Sequence, residues 1–224
     1  MLNVSRPSCV CSILLCLLAT LAGSTAKAQT ETTALSRQLA RVDLAVSGVG
    51  SFNKSSSGIT IVNAKSTTVA LSPGNTMGAL VTLRYIKSPF VGLEANYGYA
   101  RYTQTFTPFG GQPFGGVQQN ASEYTLGYVA HTPALMGVRP FIAAGGGAMA
   151  FRPTPGGGLG LQPQLRGAYY YALGAETTNL SPHFGIRAQF RQVFFQVPDF
   201  YANYLAIGRR TTSFEPGIGF FLRF

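Results

Sequence analysis

Side chains able to do chemistry are sparse in this 224-residue chain, which holds 17 Lys and Arg, seven Asp and Glu and two His. The carboxylates Asp43, Glu94, Glu123, Glu176 and Glu215 are interspersed along the chain with Arg84, Arg187, Arg191 and Arg223. Paired carboxylates are the residue type of general acid–base catalysis. A Ser–His–acid mechanism needs a histidine beside its nucleophile, and the sequence offers only His131 and His183. Metal binding needs clustered ligands, and these two histidines are far apart in sequence. The runs "GGGAMA" and "PGGGLG" lack the Lys-Ser/Thr and the helix that make a glycine loop hold phosphate. No catalytic, cofactor-binding or metal-binding residue is therefore expected, and the elements carrying the charged residues must say what they are for.

The opening segment "MLNVSRPSCVCSILLCLLATLAGSTAKAQ" has one cation, Arg6, then an apolar run from Val10 to Leu21, then Ala26-Lys27-Ala28. This is the layout of a secretory signal peptide with an A-x-A cleavage site, predicted to span residues 1–28. The apolar run is short of the roughly 20 residues of a spanning helix. Cys9, Cys11 and Cys16 all lie inside it, so the mature chain has no thiol chemistry. Without Arg6 and Lys27, Lys and Arg fall from 17 to 15 against seven acids, a net charge of about +8. The cations are scattered singly and the chain is exported, which points to anionic lipid or polysaccharide rather than nucleic acid.

Beyond a polar leader (29–40), period-two alternation dominates residues 41–224. The closing stretch "FEPGIGFFLRF" sets Phe214, Pro216, Ile218, Phe220, Leu222 and Phe224 on one face and Glu215, Gly217, Gly219 and Arg223 on the other. Six of the seven earlier segments alternate in the same way, including "RVDLAVSGVGSF", "TMGALVTLRYIK" and "HFGIRAQFRQVFFQ". "RPFIAAGGGAMAFR" is apolar on both faces and leaves its register open. Eight strands near the roughly 9–11 residues that cross a bilayer at a tilt predict an all-β, eight-stranded antiparallel transmembrane barrel. Connector lengths agree. "KSP", "PALMGV" and "NLSP" alternate with long segments near 53–75, 107–120, 153–166 and 197–211. That asymmetry predicts short periplasmic turns and long, mobile extracellular loops.

On these features the mature chain resembles the small outer-membrane β-barrel superfamily, akin to the OmpA transmembrane domain, OmpX and the opacity proteins. The resemblance implies that Ile218, Phe220, Leu222 and Phe224 form the signal read by the barrel-assembly machinery, with periplasmic chaperones as earlier partners. Some members of such families modify lipid A with chemistry near the outer leaflet. Here both histidines adjoin short turns and are expected at the periplasmic rim, so a non-enzymatic protein is expected.

If the apolar faces meet lipid, Arg84, Glu94, Glu123, Glu176, Arg187, Arg191 and Glu215 point inward. Arg84 and Glu94 flank the "KSP" turn almost symmetrically, Glu176 and Arg187 flank "NLSP", and Arg191 can face Glu215 across the last two strands. Eight strands leave a lumen just wide enough for side chains to fill, so a plug of Arg–carboxylate bonds is expected. Tyr97, Tyr99, Tyr124, Tyr128, Tyr169, Tyr171 and Phe190 are predicted to form an outward aromatic girdle. Lys54, Lys65, Arg101, Arg152, Arg166, Arg209 and Arg210 fall in or near the long loops, where they can engage lipopolysaccharide or a surface ligand. A lipid-modifying enzyme and a narrow channel for small or hydrophobic solutes are the competing readings.

Overall fold

A computed structural model describes residues 34–62, 65–113, 115–177 and 181–224. The expected signal peptide, most of the leader, and parts of the 53–75 connector and the "NLSP" turn lie outside the described residues. A short helix, α1 (Ala34–Leu39), comes before ten strands: β1 (Val42–Asn53), β2 (Ser56–Val62), β3 (Lys65–Pro73), β4 (Thr76–Ile86), β5 (Val91–Pro108), β6 (Gly115–His131), β7 (Val138–Pro153), β8 (Gln164–Thr177), β9 (Phe184–Gln196) and β10 (Arg210–Arg223). Eight of them, β1 and β4–β10, form a closed antiparallel ring within the unit Arg37–Phe224. The ring closes where β10 pairs with β1, Leu222 opposite Leu44 and Phe214 opposite Phe52. Closure pairs each of the eight ring strands on both sides, the condition for a sheet to cross a bilayer.

Alternation in the sequence becomes an inside and an outside. On β1, Asp43, Ala45, Ser47, Val49 and Ser51 are buried while Val46 and Phe52 are exposed. The outer wall carries Leu83, Leu93, Leu126, Ile142, Leu173, Phe190, Ile218 and Phe220, all exposed. Leu126 and Ile218 keep 70% and 64% of their surface open, which water would penalise heavily and lipid does not. The aromatics of the predicted girdle share this wall. Tyr97 lies 5.2 Å from Tyr124, and Tyr169 stacks on Phe194 at 4.8 Å. Strand β7, ambiguous in sequence, turns Phe141, Ala143, Met149 and Phe151 inward and Ile142 outward.

The long connectors differ from expectation. Much of 53–75 is a β-hairpin, β2 paired with β3, and β3 extends the wall by pairing with β5 from Val69↔Pro108 to Pro73↔Gln104. Apolar residues recur at period two there (Ile59, Ile61; Val69, Leu71), and the segment folds because Val69 and Leu71 can be buried. The 107–120 connector is also largely strand. β5 runs for 18 residues and β6 for 17, held by the ladder up to Phe106↔Gly115. Such strands exceed the roughly 9–11 residues a bilayer needs, so the wall continues well past the apolar band.

Small residues on the inner wall make room for large ones. A Cβ on Gly127 would collide with the Tyr170 hydroxyl, and one on Gly174 would enter the Phe141 ring. If the outer wall meets lipid, Leu126→Arg should destabilise the folded barrel by about 2–4 kcal/mol. Urea titration in vesicles, read by the heat-modifiable band on electrophoresis, measures it; wild-type stability for this variant would count against lipid contact.

Candidate functional site

The inner wall brings the charged residues into two layers. Nearer the short turns, Arg84 Nε donates to Glu94 Oε2 at 2.8 Å and its Nη1 donates to Glu176 Oε1 at 2.5 Å. Arg187 reaches the same Glu176 oxygen at 3.1 Å and Asp43 at 3.0 Å, and Arg139 bonds the other Glu176 oxygen at 2.9 Å. Three arginines face three carboxylates, so the layer is neutral. Cross-strand register produces three of these contacts directly, Arg84 opposite Glu94, Arg139 opposite Glu176 and Glu176 opposite Arg187. Arg84 and Arg187 are almost wholly buried, and the Arg84 guanidinium also lies 4.2 Å over the Phe141 ring.

One level further along the barrel, Arg191 donates to Glu215 at 2.9 Å and to Glu123 at 2.7 Å and 3.3 Å. Tyr170 separates the layers. Its hydroxyl donates to Glu94 at 2.6 Å and its ring lies 4.7 Å from the Arg191 guanidinium. Asn96 donates to both Tyr170 and Glu94, and accepts from Thr82 at 2.8 Å. Partners on several strands saturate these groups, so Glu94 and Glu176 have little capacity left to act as bases. Tyr170, Asn96 and Arg139 are not among the site residues expected from the sequence. Parity was the available signal: Tyr170 shares the even numbering of Glu176 on its strand, and His131 the odd numbering of Glu123.

His131 requires a correction. It was expected at the rim, but it is buried in the first layer, with Nε2 3.7 Å from Glu176 Oε1 and its ring 5.9 Å from Phe141. The cause is the same parity, which turns the last residue of β6 inward. His183 is exposed at the short-turn end, where Nδ1 meets the Arg223 carbonyl at 3.1 Å. Among the described residues no group of three or more His, Cys, Asp or Glu is placed to hold a metal ion.

Beyond the charge layers, toward the long connectors, the lumen turns apolar. Val69, Leu71, Phe106, Val117, Phe151 and Phe195 from the wall pack with Val197, Phe200, Leu205 and Ile207 from the connector between β9 and β10. Phe151 and Phe195 lie 5.5 Å apart. Between this apolar layer and the Arg191 layer, near Tyr102, Met149, Glu123 and Glu215, the cavity is about 20 Å³, room for about one water. The apolar residues of "PDFYANYLAIG" signalled this layer in the sequence, being out of place in a solvent-facing loop.

Arg166 also departs from expectation. Rather than presenting a free cation, its Nη2 donates to Asp199 at 2.7 Å. The Gln164 amide donates to the other Asp199 oxygen at 2.7 Å and accepts the Asp199 and Phe200 N–H groups at 2.9 Å and 3.0 Å. Thr60 on the β2–β3 hairpin adds a bond to the Asn203 carbonyl at 2.6 Å. This latch holds Phe200 and Tyr201 at φ 51° and 60°, left-handed values that cost non-glycine residues free energy. Lys54, Lys65, Arg152, Arg209 and Arg210 are exposed near the same end, and Arg101 bonds Gln118 at 2.7 Å on the outer wall. Ile218, Phe220, Leu222 and Phe224 face outward at the end of the chain.

A closed eight-stranded wall, an apolar outer band and a charged interior define a small outer-membrane β-barrel fold. Solved structures share it. The outer membrane protein OprG from Pseudomonas aeruginosa matches with a TM-score of 0.57 at 12% identity, covering 81% of this chain and 95% of that one. Neisserial surface protein A matches with a TM-score of 0.51 at 12% identity, covering 82% and 96%. No protein-family model and no curated protein matches the chain.

Arg191→Leu should destabilise the barrel by about 3–5 kcal/mol, because two carboxylates then share a buried site without a cation. Adding Glu123→Gln and Glu215→Gln should restore most of the loss in a urea titration; no recovery would deny that the charge imbalance is the cause. Burial pushes the Asp199 carboxyl up, but Gln164, the Tyr201 N–H and Arg166 outweigh it and hold it below its ordinary value. A depressed folded value stabilises above the unfolded pKa of about 3.9 and is lost as pH falls through the folded value. The Asp199 and Phe200 amide resonances should therefore stay constant above about pH 4 and shift below it. Asp199→Asn should abolish that acid step.

Proposed function

We propose that the protein is a non-enzymatic outer-membrane barrel with a lumen closed to solutes, serving envelope structure and surface interaction through its long-connector end. The observation that carries this reading is the continuous filling of the lumen: two Arg–carboxylate layers, then an apolar layer, with about 20 Å³ between them. A conducting pore needs a continuous polar path, and the latch at Asp199 works against one. An enzyme needs a nucleophile beside an available base. His131 is buried against an already saturated Glu176, and His183 sits at the short-turn end. These placements favour the structural reading over a lipid-modifying enzyme or a narrow channel.

The short turns are assigned to the periplasm and the long-connector end to the cell surface. There Lys54, Lys65, Arg152, Arg209 and Arg210 present the cations that would meet lipopolysaccharide or another anionic surface ligand, each worth about 1 kcal/mol near such a surface. Arg166 is left out of this set because Asp199 holds it. Ile218, Phe220, Leu222 and Phe224 are assigned to recognition by the barrel-assembly machinery after periplasmic chaperones deliver the chain.

Refolded protein should give no discrete conductance steps in planar bilayers. It should bind lipopolysaccharide micelles in a salt-sensitive way. Replacing Lys54, Lys65, Arg152, Arg209 and Arg210 together by Gln should weaken that binding at least about tenfold. Regular conductance steps would sink the closed lumen, and unchanged binding would sink the role of the cations.

A further inference from the structure

The short-turn end holds a second concentration of positive charge, of which the lumen layer uses only Arg139. A pocket of about 340 Å³ opens there, lined by Ala40, Arg41, Ile86, Lys87, Pro89 and Arg139, with Ser88 and Arg223 completing it. Four of its residues are cationic and none is acidic. The first lumen layer is already balanced, three arginines to three carboxylates. Arg139 spends one Nη on Glu176, leaving its buried Nε without a partner, and the buried Arg223 Nη2 also has none. Arg41 and Lys87 form no ion pair among the described residues. Arg41, Lys87 and Arg223 thus line the pocket without an acid paired to them among the described residues, and an anion seated there would offset their mutual repulsion.

The walls are built by the backbone. The Arg41 carbonyl accepts from the Ile86 N–H at 2.7 Å, joining the start of the barrel to the β4–β5 turn, and the Arg223 N–H is held by the His183 carbonyl at 2.8 Å. The Ser88 N–H and carbonyl pair with Val91, and the Ser88 hydroxyl accepts the Val91 N–H at 3.2 Å, leaving its own proton free to donate. The pocket thus combines fork-shaped guanidinium donors, an ammonium and a hydroxyl around one small volume. That donor set suits a tetrahedral oxyanion bonded at several oxygens. Exposed apolar residues (Phe90, Val91, Leu222, Phe224) stand beside it on the outer wall, so it lies at the depth where the apolar band gives way to headgroups.

We infer that this pocket is an anion site for a phosphate group, of the kind carried by a phospholipid headgroup in the leaflet the short turns face. The headgroup is favoured over free phosphate because the pocket adjoins the apolar wall, where acyl chains lie when a headgroup is seated.

The test uses the full mature chain refolded in maltoside micelles, which carry no phosphate. Amide resonances of Arg41, Lys87 and Ser88 are followed while inorganic phosphate is added, and separately while short-chain phosphatidylglycerol is added. Saturable shifts with the lipid alone support the headgroup assignment; saturable shifts with both support the anion site and make phosphate itself sufficient. The variant R41Q/K87Q changes only exposed side chains and should keep the heat-modifiable band while its affinity falls roughly tenfold. Arg139→Gln alters the Glu176 layer and is read only if that band survives. No saturable shift with either probe, or equal affinity in R41Q/K87Q, overturns the proposal.

Discussion

Glu176 is the point on which the interior turns. Arg84, Arg139 and Arg187 converge on its two oxygens from β4, β7 and β9. An ion left unpaired in a bilayer-spanning wall faces a desolvation cost of several kcal/mol. Once Glu176 is inward, every arginine around it therefore has a fixed direction, and so does each of their strands. Arg84 carries the constraint to Glu94, Glu94 to Tyr170, and Arg187 to Asp43 on β1. Because Asp43 lies on the strand that pairs with both β4 and β10, the network spans the seam where the ring closes. A one-residue slip at that seam would turn Asp43 outward and leave Arg187 without it.

Filling a narrow barrel with guanidinium groups needs space, and the inner wall supplies it by position. Tyr170 reaches Glu94 across Gly127, and Phe141 lies under Arg84 across Gly174. The inner-wall glycines are thus a packing signal. β7, with "AAGGGAMA", is the strand with fewest large inner side chains at mid-height, which lets Tyr170 and the Arg191 layer fill the middle of the lumen.

Fold and inner face were legible in the sequence because a barrel wall obeys a two-residue period with no tertiary exceptions. Glu215 and Arg191 could be paired by number, and the structure sets them opposite each other in register. What escaped the period was what depends on distance around the ring. Glu123 bonds Arg191 from a strand three places away, and no count of residues between them foretells it. Tyr170 escaped for another reason, since in "YYY" an inward tyrosine looks like its two outward neighbours. The hairpin β2–β3 and the segment 197–207 have the composition and length of loops, which mask their apolar spacing. Arg166 was misassigned for the same reason, its acid lying 33 residues away in the segment it holds.

The two ends of the lumen are filled by different physics, and the difference follows from where each meets solvent. At the short-turn end the strands stop abruptly, the turns are short, and among the described residues wall side chains fill the opening. Long arginines with branched donors span it and satisfy carboxylates from strands that never touch. At the other end the strands run past the apolar band, and a connector long enough to return inward can cover the opening with Phe200, Leu205 and Ile207. Burying those side chains stabilises the cover by hydrophobic transfer but gives no directional specificity, so polar contacts at Gln164, Arg166 and Thr60 fix its position. The charged end has no comparable way to move without leaving ions unpaired, whereas the apolar end is held by a few hydrogen bonds at its edge. In the closed-lumen reading proposed above, any opening would begin at the Asp199 latch, with the charge layers below it still separating the two sides of the membrane.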